Sequence, residues 1–202
     1  MKHGIYQIAA RESALRQGEI LTGVIQFKPN VNESSLDLDV ETQLFTAIAH
    51  PYAIVVTQDC DLDWDYKARK SINSTDGKST KLLNSILLCE IGIAREIRDN
   101  KNVIINRKDW ELVESHRHER FYFFQEILPE CDVEQEGLPE LTSDFKKVFG
   151  IDAAYLYHQI SSGKAKRRTV LVSPYLEHFS TRYHNFHTRV ALPAPYESLK
   201  ER

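Results

Sequence analysis

The stretch Ala53-Ile-Val-Val-Thr-Gln-Asp-Cys-Asp-Leu62 joins a short apolar run to a group of polar and reactive side chains. The residues from Ala53 to Val56 are the small and β-branched types that a buried strand favours. The residues from Thr57 to Asp61 then place a thiol between two carboxylates. A core strand that ends in a polar cluster is a common way to build a site. We therefore predict a buried strand with a candidate site at its carboxyl end.

The composition is typical of one globular domain. The chain has 202 residues, of which 42% are hydrophobic and 27% are charged, so we expect a single domain over residues 1–202. The formal net charge of -3 argues against a protein whose whole surface binds nucleic acid. Acidic side chains dominate residues 30–65, which contain no Lys or Arg. Basic residues gather instead in two clusters, so any phosphate-binding face is local: Lys67, Arg69 and Lys70, and Lys164, Lys166, Arg167 and Arg168.

The cysteine usage and the first residues predict a cytoplasmic protein. Three cysteines without CxxC spacing fit a reduced compartment better than a disulfide framework. Residues 1–6 lack an apolar signal region, and no run approaches the length that spans a membrane. The nucleotide-binding and hydrolase motifs GxxxxGK[ST], GxGxxG, HExxH and GxSxG are absent, so we expect no cofactor.

The pattern along the chain predicts an α+β fold. Strands are predicted at residues 20–27, 40–49, 53–56, 86–93, 118–125 and 145–151. His50-Pro51 predicts a turn between the second and third of these strands. Short helices are predicted within residues 95–109 and at 153–160, and residues 5–16 form a short helix or an irregular lead-in. Such an order indicates a small, strongly curved antiparallel sheet or an SH3-like β-barrel with peripheral helices.

A C-terminal amphipathic helix completes the predicted fold. Ser173 suits its N-cap and Pro174 its first position. The spacing of the residues predicts an apolar stripe of Leu176, Phe179, Tyr183, Phe186 and Val190. It also predicts a polar face of His178, Arg182, Asn185 and Arg189.

The thiol motif offers candidate catalytic residues, which are Gln58, Asp59, Cys60 and Asp61. A reactive thiol normally needs a positive neighbour, whereas two carboxylates disfavour the thiolate. A histidine brought close by the fold, such as His50, His116 or His118, would supply a base. The alternative is that Cys60 is a small half-buried residue whose flanking aspartates bind loop amides.

A divalent cation is a second interpretation of the same stretch. Asp59, Asp61, Asp63 and Asp65 alternate, so an extended segment would present all four carboxylates on one face. Asp59 and Asp61 would then hold an ion such as Mg²⁺. A solvated acidic turn explains the pattern equally simply, and the identity of any metal stays open.

Basic residues near the C-terminus predict a nucleic-acid interface. The candidate phosphate-binding residues are Lys164, Lys166, Arg167, Arg168, Arg182 and Arg189. Tyr155, Tyr157 and Tyr183 are available to stack on bases. The alternative is a solvated run of charge that balances the acidic segments.

The motif Val56-Thr-Gln-Asp-Cys-Asp-Leu62, with the tail from Leu171 to Pro193, resembles a group of uncharacterised bacterial proteins with a Gln-x-Cys-Asp signature. The order of elements also resembles the PemK/MazF-type toxins, which are SH3-like barrels that cleave RNA. Gln17-Gly-Glu-Ile-Leu matches their first strand and Tyr52-Ala-Ile-Val-Val a central strand. The resemblance implies a barrel and, as a minor hypothesis, a nuclease.

The leading hypothesis is therefore a small-barrel binding module of a bacterial multi-gene system, such as a mobile-element or phage-defence locus. Its partner would be a protein of the same locus or a nucleic acid, and not a membrane. The alternative is an enzyme centred on Asp59, Cys60 and Asp61, either a metal-assisted phosphodiesterase or ribonuclease, or a thiol-dependent enzyme.

Overall fold

The chain forms one antiparallel sheet of seven strands with helices packed against it. The computed structural model describes residues 4–29, 45–71, 78–100 and 105–190. The strands are β1 (Tyr6–Ile8), β2 (Glu19–Pro29), β3 (Phe45–Val55), β4 (Ser85–Ile93), β5 (Phe121–Phe124), β6 (Leu141–Asp152) and β7 (Lys166–Leu171). The helices are α1 (Asp59–Lys70), α2 (Ala94–Asp99), α3 (Arg107–Glu114), α4 (Ala153–Ser161) and α5 (Tyr175–His187).

The sheet is open. Its strand order is β1-β7-β2-β3-β4-β6-β5, and every neighbouring pair is antiparallel. Within the described residues, the terminal strands β1 and β5 do not pair with each other. The predicted α+β class and antiparallel sheet are confirmed, whereas the SH3-like barrel is not.

The three central strands bury side chains on both faces of the sheet. Ile20, Ile54 and Cys89 are cross-strand partners on one face, which α5 covers through Phe179 and Phe186. Leu21 and Ala53 are partners on the opposite face, as are Val55 and Leu88. Helices α1 and α4 cover this second face with residues that include Leu62 and Leu156. The prediction of a buried central strand at Ala53 to Val56 is confirmed, since these residues are 0–4% exposed.

Strand β3 runs straight through His50-Pro51, so the predicted turn there is wrong. The predicted strands at 40–49 and 53–56 join into one strand from Phe45, while residues 40–44 lie outside the described part of the chain. Proline has no N–H to give to a ladder. The β2–β3 pairing accommodates it by passing from Thr22↔Tyr52 to Val24↔His50, with Gly23 opposite Pro51 at φ +73°.

Two other predicted helical regions differ from the structure, and one predicted helix cap is confirmed. Residues 5–16 are not helical, because they contain β1 followed by an irregular segment. The short helix predicted within 95–109 corresponds to α2, α3 begins near the end of the same range, and residues 101–104 lie outside the described part of the chain. Asp152 caps α4 as predicted, by accepting a hydrogen bond from the Tyr155 amide at 2.8 Å.

Helix α5 is shorter than predicted. Its N-cap is Pro174 and not Ser173, and it ends at His187. Val190 is 85% exposed and therefore lies outside the apolar stripe. Arg189 follows the end of the helix and does not extend its polar face. No helix in the described ranges combines the length and hydropathy needed to cross a membrane.

A buried glutamine attaches α4 to the part of β2 that does not pair with β7. Gln159 is fully buried, and its side chain accepts a hydrogen bond from Ile25 N at 2.8 Å and donates one to Ile25 O at 2.9 Å. The amide thus pairs with the strand as a neighbouring backbone would. This contact positions α4, whose outer residues line the cavity described below.

We predict that Gln159→Leu lowers the free energy of unfolding by about 2–4 kcal/mol, because two backbone groups of Ile25 lose their buried partner. The exposed Gln125→Leu is the matched control and should change stability by less than about 0.5 kcal/mol. Denaturant unfolding measures both variants. Equal stability of the two variants would contradict the role given to Gln159.

Candidate functional site

The thiol motif lies at the start of a helix, not in an extended segment. Gln58 is the N-cap of α1, and Asp59, Cys60 and Asp61 form the first turn. The alternating aspartates therefore do not share one face. Asp63 pairs with Lys67 at 2.6 Å, while the fully buried Asp65 accepts hydrogen bonds from Arg69 and from the amide of Leu83.

Asp59 holds the irregular segment that precedes β2. Both of its carboxylate oxygens accept hydrogen bonds from the Arg16 guanidinium at 2.9–3.1 Å. Its Oδ1 also accepts a hydrogen bond from Gln17 N at 2.7 Å. The hydrogen bond to Asp59 raises the pKa of Arg16. Asp59 therefore already has partners that use both of its oxygens.

Cys60 is exposed, and its sulfur makes only weak contacts within the motif. The Sγ atom lies 3.8 Å from Gln58 Oε1 and 3.8 Å from Asp61 Oδ1. Asp59 and Asp63 line a cavity of about 520 Å³ beside the irregular segment, whereas Cys60 and Asp61 do not line this cavity.

A cavity of about 590 Å³ opens on the α1 and α4 face of the sheet. We call it the tyrosine cavity, because Tyr66 of α1 and Tyr157 of α4 line it together, with ring centroids 6.3 Å apart. Leu15, Ile160 and Ala165 supply apolar surface. Among the described residues, its charged lining consists of five cations, Arg11, Arg69, Lys70, Lys166 and Arg167, and one carboxylate, Glu134.

Arg167 lines the tyrosine cavity but has a structural role. Its Nε and Nη2 donate to the two carboxylate oxygens of Glu19, and both side chains are buried. Its remaining N–H groups donate to backbone carbonyls of the irregular segment, at Arg11, Ser13 and Ala14. Burial raises the pKa of Glu19, and the guanidinium opposes that effect. All five donors of Arg167 are thus used within the protein.

Arg168 is held internally as well. It pairs in bidentate fashion with the fully buried Asp132, with N···O distances of 2.8 and 2.7 Å. Arg168 lies at a bulge of β7, since Ile20 pairs with Thr169 and Leu21 with Arg167, which leaves Arg168 as the extra residue. Two of the six predicted phosphate-binding residues therefore stabilise the fold.

The other cations of the cavity keep more exposed side chains. Lys70 is exposed, and its Nζ lies 4.6 Å from the centre of the Tyr66 ring. Lys166 pairs with Glu134 at 2.7 Å, and Glu134 also lies 3.5 Å from Arg11 Nη2. These pairs are partly exposed, so a ligand anion can compete for them.

The hydroxyl group of Tyr157 is buried near the Asp65 carboxylate. Burial, together with the neighbouring Asp65 carboxylate, raises the pKa of this phenol. The Arg69 guanidinium carbon lies 5.6 Å from the centre of its ring. The ring is therefore a neutral aromatic surface beside cationic groups.

The remaining predicted phosphate-binding residues lie elsewhere. Lys164 is exposed before β7 and does not line the tyrosine cavity. Arg182 donates to the carbonyl oxygen of His118, and Arg189 lies 3.5 Å from Glu119 and over the Phe186 ring. The structure thus brings Lys166 and Arg167 to one cavity and leaves Arg182 and Arg189 on the side of α5.

No protein-family model matches the chain. Searches of curated proteins and of solved structures also find no match.

Sequence reasoning noted the basic cluster at Lys67, Arg69 and Lys70 but assigned neither α1 nor the irregular segment to the site. Tyr66, Arg69 and Lys70 lie one or two turns beyond the acidic motif, on the helix that the motif begins. The signal that could have found them is the aromatic and basic cluster from Tyr66 to Lys70. Arg11 carried no signal, because only the fold brings residue 11 beside Glu134 and Lys166.

We predict that Arg167→Met lowers the free energy of unfolding by about 3–5 kcal/mol, because it leaves the Glu19 carboxylate buried without its partner. Lys70→Met removes an exposed cation from the same cavity and should cost less than about 0.5 kcal/mol. Chemical denaturation of the two variants measures this difference. A small effect for Arg167→Met would show that this guanidinium is not structural.

Proposed function

We propose that the protein is a binding module that takes one nucleotide unit of a single-stranded nucleic acid into the tyrosine cavity. The observation that carries the proposal is the meeting of two tyrosine rings with five cationic side chains around a cavity of about 590 Å³. Base stacking on aromatic rings beside a positively charged groove is how proteins bind single strands without reading their sequence.

The size of the cavity supports a single nucleotide unit. Cavities of about 300–1,000 Å³ hold small ligands and cofactors. The Arg167–Glu19 pair and the segment that it holds close one wall of the cavity. A base with its sugar and phosphate matches this space better than a continuous strand does.

The charge distribution supports an anionic ligand. The whole protein has a net charge of -3, so positive potential must be local. In the tyrosine cavity, Arg167 and Arg69 are neutralised by the buried carboxylates of Glu19 and Asp65. Lys70, Lys166 and Arg11 remain at exposed positions and supply the charge that a phosphate would meet.

An enzyme at Asp59, Cys60 and Asp61 is the competing function, and it has less support. Asp59 is held by Arg16 and Gln17, and Cys60 is exposed and lines neither the tyrosine cavity nor the cavity beside Asp59. A bacterial multi-gene context remains part of the proposal, in which this module supplies the binding of nucleic acid.

The proposal predicts salt-dependent binding of single-stranded RNA or DNA that weakens when cavity residues are replaced. Lys70→Met should reduce the slope of log K against log salt concentration by about 0.7, the value for loss of one phosphate contact on a single strand. Fluorescence anisotropy with labelled oligonucleotides measures the slope. Cys60→Ser is the control and should bind like the wild type.

Tyr157→Leu should weaken the same binding by about tenfold, since one stacked base contributes about 1–3 kcal/mol. Thermal unfolding of the variant establishes that the fold persists. The proposed function would be contradicted if the affinity did not depend on salt concentration and if neither Lys70→Met nor Tyr157→Leu weakened binding.

A further inference from the structure

Glu134 occupies the place in the tyrosine cavity where a ligand anion would bind. Its Oε2 lies 2.7 Å from Lys166 Nζ, and its Oε1 lies 3.5 Å from Arg11 Nη2. Both cations belong to the cavity lining, as does Glu134 itself. The salt bridge to Lys166 lowers the pKa of Glu134, which keeps the carboxylate charged at neutral pH.

The backbone that carries Glu134 is fixed by buried contacts. Asp132 accepts hydrogen bonds from the amides of Glu134, Glu136 and Gly137 at 3.0–3.2 Å, and it is clamped by Arg168. The carbonyl of Arg168 in turn accepts a hydrogen bond from Val133 N at 2.9 Å. The loop therefore presents the Glu134 side chain to Lys166 and Arg11 from a rigid base.

The side chain itself can move away. Glu134 is 24% exposed, and its contacts with Lys166 and Arg11 lie at the rim of the cavity, where solvent weakens ion pairs. An entering anion must displace this carboxylate before it reaches the two cations. The competition depends on charge: a phosphodiester carries one negative charge like the carboxylate, whereas a terminal phosphate carries about 1.5 to 2 at pH 7.

We propose that Glu134 makes the tyrosine cavity selective for a nucleotide that bears a terminal phosphate, at the 5′ or 3′ end of a single strand. This inference rests on the proposed function, since it assigns the part of the nucleic acid that enters the same cavity. A terminal phosphate has the additional charge and oxygens to replace Glu134 on both cations. When an internal phosphodiester replaces Glu134, one singly charged group is exchanged for another, so less binding free energy is gained.

The experiment compares three forms of one short oligonucleotide with an internal fluorophore: 5′-phosphorylated, 3′-phosphorylated, and with hydroxyl groups at both ends. The wild type should bind one of the phosphorylated forms about tenfold more tightly than the hydroxyl form. The two phosphorylated forms show which end enters. Glu134→Gln should bind the hydroxyl form more tightly than the wild type does, and the preference should fall to about threefold or less.

Glu136→Gln is the matched control. Glu136 lies on the same loop but contacts Arg168, and it does not line the cavity, so this variant should keep the wild-type preference. Lys166→Met provides a second variant: it should weaken the binding of phosphorylated strands and also reduce the preference.

Two failures are distinguishable. If the wild type binds none of the three oligonucleotides, the proposed function is wrong. If it binds all three equally, or if Glu134→Gln keeps the full preference of the wild type, the binding function stands and the selectivity assigned to Glu134 is wrong.

Discussion

The buried ion pair between Arg167 and Glu19 is the constraint on which the site depends. It links the start of β7 to the start of β2, and the same guanidinium holds the carbonyls of the irregular segment that precedes β2. Buried ion pairs often add little net stability, because both charges lose their hydration. Their value here is geometric: the pair fixes a segment without regular structure as one wall of the tyrosine cavity.

This constraint separates cations that build the protein from cations that face a ligand. Arg167 and Arg168 have carboxylate partners buried in the fold, and Asp59 likewise serves to anchor Arg16. Lys70 and Lys166 remain on the surface of the cavity. The basic residues of one sequence cluster thus divide into structural cations and cations that face a ligand. A cation is structural where the fold places a buried carboxylate beside it.

The sequence predicted most of the regular elements because their signals are local. The apolar run at Ala53 to Val56, the Asp152 cap and the stripe on α5 all depend on neighbouring residues. The turn at His50-Pro51 was mispredicted because the pairing with β2, which is remote in sequence, continues on both sides of the proline, from Thr22↔Tyr52 to Val24↔His50. The open sheet was not distinguishable from a barrel, since closure depends on whether β1 and β5 meet. The site was predicted only in part. Lys166 and Tyr157 were candidates from the sequence, but Tyr66 and Arg11, which are distant from them in sequence, line the same cavity only because the fold brings them there.

The most direct test of this account is a crystal structure of the protein with a short single-stranded oligonucleotide that bears a terminal phosphate. We expect a base against Tyr66 or Tyr157 and phosphate oxygens at hydrogen-bond distance, about 2.7–3.2 Å, from Lys166 and Arg11. The Arg167–Glu19 pair should be unchanged and Glu134 displaced. A strand bound along α5 at Arg182 and Arg189, or a phosphate bound directly by Arg167, would contradict it.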